Sequence, residues 1–91
     1  MDISISDNKE KNRFETTIDD KTGFIDYKRK DEVIHLTHTE VPKELEGKGI
    51  GSALVKHALQ ATKDEGKKVI SHCSFVSGYI ERHPELKSYL A

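Results

Sequence analysis

Between Glu46 and Ser52 the chain reads Glu-Gly-Lys-Gly-Ile-Gly-Ser, and an apolar pattern of helical period starts at once. Glycines in alternate positions let a backbone turn through φ > 0. They also bring its N–H groups close to an anion with no Cβ in the way. The unpaired N–H groups of the helix that follows point in the same direction, and the helix dipole favours negative charge there. The stretch Gly47, Lys48, Gly49, Ile50, Gly51 and Ser52 is therefore expected to hold a pyrophosphate at a helix start. The rest of the chain is expected to be the scaffold that aims it.

The patterns on either side set the fold class. Residues 1–11 are polar and are expected to be loosely held. Residues 12–18 alternate, with Phe14, Thr16 and Ile18 on one face of a strand. Residues 19–23 have turn composition. A second strand over 24–30 puts Phe24 and Asp26 on one face and Ile25 and Tyr27 on the other. Residues 30–32 turn back into a third strand over 33–41, with faces Val33-His35-Thr37-Thr39 and Ile34-Leu36-His38-Glu40. Both faces carry apolar residues near the start, which suits a central strand. The short turns make the three an antiparallel meander.

Pro42 stops the third strand, since it cannot donate to a ladder. Beyond the glycines a helix is expected over about 49–65, with Ile50, Leu54, Ala58 and Ala61 in one stripe and Val55 and Leu59 beside it. Gly66 is its expected C-cap. A strand over 67–73, a short helix over 75–82 and a last turn after Pro84 complete the chain. The class is α+β: a three-stranded antiparallel meander, a strand–loop–helix–strand crossover, and a short C-terminal helix. A crossover through a helix makes its two strands parallel. The ends of both strands and the helix start then share one sheet edge, where ligands of open α/β sheets bind. Cys73 falls at that edge.

Bulk properties narrow the function. With 91 residues, a single domain over 1–91 is expected. A formal net charge of −1 gives no global field to attract nucleic acid or a membrane surface. The single cysteine allows no internal disulfide and suits a reducing compartment. No apolar run approaches the roughly 20 residues that span a bilayer, and the N-terminus lacks a signal-peptide pattern. A cytoplasmic location is the expectation.

Two familiar phosphate loops do not fit. A P-loop needs Lys and Ser or Thr after its last glycine, and here Ser52 follows Gly51 directly. A dinucleotide fingerprint would need glycine at Ser52 and normally follows the first strand of its fold. The run Glu46-Gly47-Lys48-Gly49-Ile50-Gly51-Ser52-Ala53-Leu54 instead resembles the acetyl-CoA motif of the GNAT superfamily of acetyltransferases, Gln/Arg-x-x-Gly-x-Gly/Ala. Gly49 and Gly51 take its two small positions. Glu46 stands where that family usually has Gln or Arg, so a carboxylate comes near a pyrophosphate, with Lys48 available to offset it. The segment with Cys73, Phe75, Tyr79-Ile80 and His83-Pro84 resembles a subfamily of very small stand-alone members, and the resemblance runs from about residue 14 to 90. It implies a minimal GNAT fold that binds acetyl-CoA or coenzyme A. The pantetheine arm would pair with backbone near Thr39, Glu40 and Val41, between strands that splay. Tyr79 and His83 would lie near the cofactor.

Cys73 is the sharpest candidate. A lone cysteine is more often a small buried hydrophobe, but this one sits at a strand end just before a helix N-terminus, which lowers a thiol pKa. A thiolate there could accept an acetyl group, and the subfamily carries Cys at this place. Tyr79 is a candidate general acid, with core packing as its plain alternative. His38 and Glu40 could act as base for an amine, but a solvated role is the commoner one. His35 and His38 point to opposite faces of a strand, and no metal site is expected. The expected function is transfer of acetyl from acetyl-CoA to an unidentified amine, a small molecule or a protein lysine, with Cys73 as candidate carrier. The alternative is a non-catalytic CoA- or acyl-CoA-binding or sensing module. A monomer or weak dimer is expected, with no nucleic-acid partner and no membrane.

Overall fold

A computed structural model describes residues 3–91. Its elements are β1 (Ser6–Asn8), β2 (Arg13–Ile18), β3 (Lys21–Lys30), β4 (Val33–Glu40), α1 (Ile50–Asp64), β5 (Lys68–Ser71) and α2 (Ser74–Arg82), with 3-10 turns at Lys43–Leu45 and Pro84–Tyr89. The five strands form one sheet in sequence order. The first four are antiparallel neighbours and β5 runs parallel to β4. The α+β class and the crossover read from the sequence are present.

The meander has one more strand than expected. Ser6, Asp7 and Asn8 pair with Glu15, Phe14 and Arg13, and Ile3 and Ile5 pack against the core. A polar strand is held here by its partners. Asn8 Nδ2 donates to Glu15 Oε1 at 3.2 Å, and the Tyr27 hydroxyl donates to Asp7. The part of the loosely held N-terminus that falls on Met1 and Asp2 lies outside the described residues.

Both hairpin turns are tighter than their sequences suggest. Asp19 and Asp20 have φ of 50° and 66°, and Asp31 and Glu32 have 53° and 65°. Two consecutive positive φ values match the right-handed strand twist in two-residue hairpins. Lys21, Thr22 and Gly23 therefore belong to β3 rather than to a turn, and Gly23 is buried under Ile50 and Leu54.

Both helices cover one face of the sheet. Phe14, Ile25, Tyr27, Ile34, Leu36 and Val69 meet Ile50, Leu54, Val55, Ala58 and Leu59 of α1 and Val76, Tyr79 and Ile80 of α2. Burying a side chain such as Leu54 contributes about 2 kcal/mol. Ala61 packs against the core as expected, and the last turn of α1 buries Thr62 as well, with its Oγ1 donating to Ala58 O at 2.8 Å. Helix α1 ends with Gly66 at φ 69°. On the other face of the sheet, which carries Arg13, Phe24, Asp26, Lys28, His35, His38, Glu40 and Ile70, none of these residues is fully buried.

One ion pair ties the end of α1 to the sheet. Arg29 Nε and Nη2 donate to the two carboxylate oxygens of Glu65 at 3.1 and 2.7 Å. These bonds hold the Glu65 carboxyl below its usual range against the opposing effect of burial. A group with a depressed folded pKa stabilises above its unfolded value and stops doing so as pH falls through the folded one. Arg29→Ala is therefore expected to cost about 1 kcal/mol at pH 7, and less at pH 3, as read by urea unfolding at both.

Candidate functional site

The site is built by a fork in the sheet. β4 and β5 pair from Val33↔Lys68 to Leu36↔Ser71, and His72 N–H then donates to Leu36 O at 2.8 Å. Beyond that point they part. A β-bulge lies at the same level. Tyr27 pairs with Leu36 and Asp26 with His38, so Thr37 is the extra residue, and its hydroxyl donates to Asp26 O at 3.3 Å. A bulge bends its strand and shifts side-chain parity. This corrects the strict alternation expected for residues 33–41. Thr39, paired with the buried Ile25, joins the face of Ile34 and Leu36, while His38 and Glu40 turn to the face without helices.

A groove of about 450 Å³ opens at the fork. Thr39 and Val41 from the end of β4, Leu45 and Glu46 from the 3-10 turn, Gly47, Gly49, Ile50, Gly51 and Ser52 from the glycine turn, and Phe75 from α2 line it. Gly47 and Gly49 have φ of 80° and 76°, where other residues are strained, and a Cβ on either would point into open space. The first helical bond of α1 runs from Ala53 N–H to Gly49 O at 3.0 Å. The N–H groups of Ile50, Gly51 and Ser52 therefore have no partner within the helix. Two left-handed glycines, an open approach and these helix-start amides fit a diphosphate.

Cys73 is the N-cap residue of α2, with extended φ and ψ of −114° and 126°. β5 has ended at Ser71, so Cys73 is not in the ladder as expected for residues 67–73. Its Sγ donates to Thr39 Oγ1 at 3.3 Å, which bridges the two arms of the fork. Burial pushes the thiol up, but the Thr39 hydroxyl and the backbone N–H groups at the start of α2 outweigh it, and the net direction is down. The thiol is expected to be alkylated with a rate midpoint below that of a free cysteine. Thr39→Val, which removes the hydroxyl and keeps the shape, is expected to move that midpoint up in an iodoacetamide pH series.

The structure brings Cys73, Val41 and the glycine turn to one fork. It leaves other candidates apart. Glu40 has only its backbone at the fork, because the bulge turns its side chain to the far face. Tyr79 and His83 line a different cavity, between α1 and the 3-10 turn at Pro84–Tyr89, with ring centroids 4.4 Å apart. Helix α2 starts at Ser74, so its first turn reaches the groove with Phe75 and carries Tyr79 one turn further on. The Lys48 side chain is exposed and does not line the groove. Sequence reasoning had Thr39 only as backbone and Phe75 only as part of the resembling segment; the Thr39 hydroxyl on Cys73 and Phe75 in the groove wall are what the structure adds. Phe75 lies over Gly51, where a Cβ would come within 2.6 Å of its ring.

Residues 13–89 match the family model described as GCN5-related N-acetyl-transferase. Protein NATD1 of Gallus gallus and that of Homo sapiens are each 36% identical to the chain over 58 residues, 64% of its length. The alignment takes in 52% of the chicken protein and 50% of the human one, so the chain spans about half the length of these relatives. The solution NMR structure of a GCN5-like protein from Staphylococcus aureus matches with a TM-score of 0.76 at 26% identity, over 97% of this chain and 87% of that one. Among the described residues no helix is long and apolar enough to cross a membrane.

Proposed function

The chain belongs to the GCN5-related N-acetyltransferase family, and from that premise we propose that it moves an acetyl group from acetyl-CoA to an amine, by way of Cys73. The observation that carries this reading is the fork, which has the turn of Gly47 and Gly49 on one side and, on the other, the Cys73 thiol bonded to Thr39 of the groove wall. Gly47, Gly49 and the amides of Ile50, Gly51 and Ser52 would hold the pyrophosphate of the cofactor. The free backbone edge of Thr39, Glu40 and Val41 would receive the pantetheine arm as a false strand. The bound cofactor supplies an acyl thioester.

Cys73 has two tasks in this scheme. Thr39 Oγ1, which accepts from the thiol in the structure, would donate to the thiolate. Sγ would add to the carbonyl of the acyl thioester as its C–S bond breaks, and the proton Cys73 gave up would go to the departing thiol. The acceptor amine then attacks the acetyl-cysteine, the S–C bond breaks, and Cys73 regains a proton from the nitrogen. The domain as a whole, residues 1–91, is read as one acetyl-CoA-binding unit.

Titrating the labelled chain with acetyl-CoA tests the binding step, with movement of the amide signals of residues 47–52 as the expected result. Unmoved signals there would remove the proposal's basis. Shifts without an acetyl adduct or turnover on any amine would favour a binding module instead. Glu46 lines the groove and brings a carboxylate to its rim region. Glu46 is exposed, and like charges about 4 Å apart in bulk water repel by about 1 kcal/mol, less in salt. Glu46→Gln is therefore expected to tighten CoA binding roughly threefold, and more at low ionic strength, by calorimetry.

A further inference from the structure

On the sheet face opposite the groove, His35 of β4 and His72, just past β5, hold each other. His35 Nδ1 and His72 Nε2 are 2.9 Å apart. The ring planes differ by 13° and the centroids lie 5.2 Å apart, which is that N···N distance plus the two ring radii. The rings therefore meet edge to edge, nitrogen to nitrogen. One nitrogen donates and the other accepts, so two metal-binding atoms share a single hydrogen. The pair is open to solvent, and it sits at the root of the fork, where the β4–β5 ladder ends.

We propose that His35 and His72 form a binding site for one divalent first-row transition-metal ion, copper(II) above nickel(II) and zinc(II). Imidazole suits all three, and copper(II) heads the general affinity order. A metal–nitrogen bond of about 2.0–2.1 Å sets two cis nitrogens about 2.9 Å apart, which is the spacing already present. His72 is exposed and His35 half-buried, and each ring needs only to turn about a soft side-chain torsion so that both lone pairs converge on the ion. The ring that now donates carries its hydrogen on its other nitrogen in the bound form, and no net proton is released. Among the described residues no group of three or more His, Cys, Asp or Glu side chains could hold a metal. Water completes the coordination shell, so the affinity is micromolar rather than that of a closed structural site. Lys28 lies directly across from His35 on β3 and opposes the ion with its charge. The bound ion would bridge the two arms at the root of the fork, on the face opposite the groove.

Substoichiometric copper(II) added to the labelled full chain tests this. Amide signals around residues 35, 70 and 72 are expected to broaden first. His35→Gln and His72→Gln are each expected to weaken nickel(II) binding at least tenfold by calorimetry, and Cys73→Ser to leave it unchanged. Lys28→Glu, which exchanges the opposing charge for a third ligand, is expected to tighten it about tenfold. The His83–Glu85 pair, 3.7 Å apart, is the internal rival. Broadening centred there or at the N-terminal amine, or surviving in the His35→Gln/His72→Gln double variant, would overturn the proposal. Native spectral dispersion of each variant separates lost binding from lost fold. Because the readout is metal binding, failure here leaves the acetyl-transfer reading untouched, and failure of that reading leaves this one standing.

Discussion

Cys73→Ala is expected to yield no acetylated protein on incubation with acetyl-CoA and to slow acetyl transfer on the order of 100-fold or more. Intact-mass spectrometry reads the first effect and steady-state assay against a panel of amines reads the second. The magnitude follows from removing a nucleophile whose step the rest of the site cannot perform. The control is binding. Cys73 does not line the groove with the glycine turn, so CoA affinity is expected to stay within a few-fold of the parent. Cys73→Ser is expected to behave like the alanine variant, because a serine hydroxyl is not ionised by the Thr39 contact at neutral pH. Full turnover in Cys73→Ala would mean that the amine attacks the thioester directly, and the covalent route would be wrong.

Gly49→Val is expected to weaken CoA binding roughly 100-fold, a loss of about 3 kcal/mol. At φ 76° a β-branched residue is strained by about 2 kcal/mol. The turn can relieve that strain only by rotating its backbone, which re-aims the N–H groups that an anion would need. Each charge-assisted hydrogen bond lost contributes about 1.5–3 kcal/mol. Gly66 is the internal comparison. It has φ 69° at the far end of α1 and lies outside the groove. Gly66→Val is expected to lower stability in urea by about the same 2 kcal/mol and to leave CoA affinity unaltered. Equal affinity losses in both variants would show that the glycine turn acts only through fold stability.

Much of this architecture was legible in the sequence because local signals agreed with the tertiary result. The apolar stripe from Ile50 to Leu59, the glycine after α1 and the alternation of Phe14, Thr16 and Ile18 each fix an element by itself. What stayed hidden depends on partners far along the chain. Ser6-Asp7-Asn8 has no strand composition, and its pairing is supported by side chains of Glu15 and Tyr27. His35-Leu36-Thr37-His38-Thr39 alternates equally well with or without a bulge, so no local pattern could say that Thr39 rather than His38 would meet Cys73. The His35–His72 contact joins residues 37 positions apart and leaves no periodic trace. In the site, the glycine turn was readable because positive φ demands a particular residue. Tyr79 takes the core position named as its plain alternative, because the start of α2 decides which turn faces the groove.

The extra residue at Thr37 has a consequence for how this protein can vary. The bend that helps part the two diverging strands is made in the main chain, where one residue has no counterpart on β3. Loss or gain of one codon between Leu36 and Thr39 would reset the bend and close or misalign the fork, even with every other contact intact.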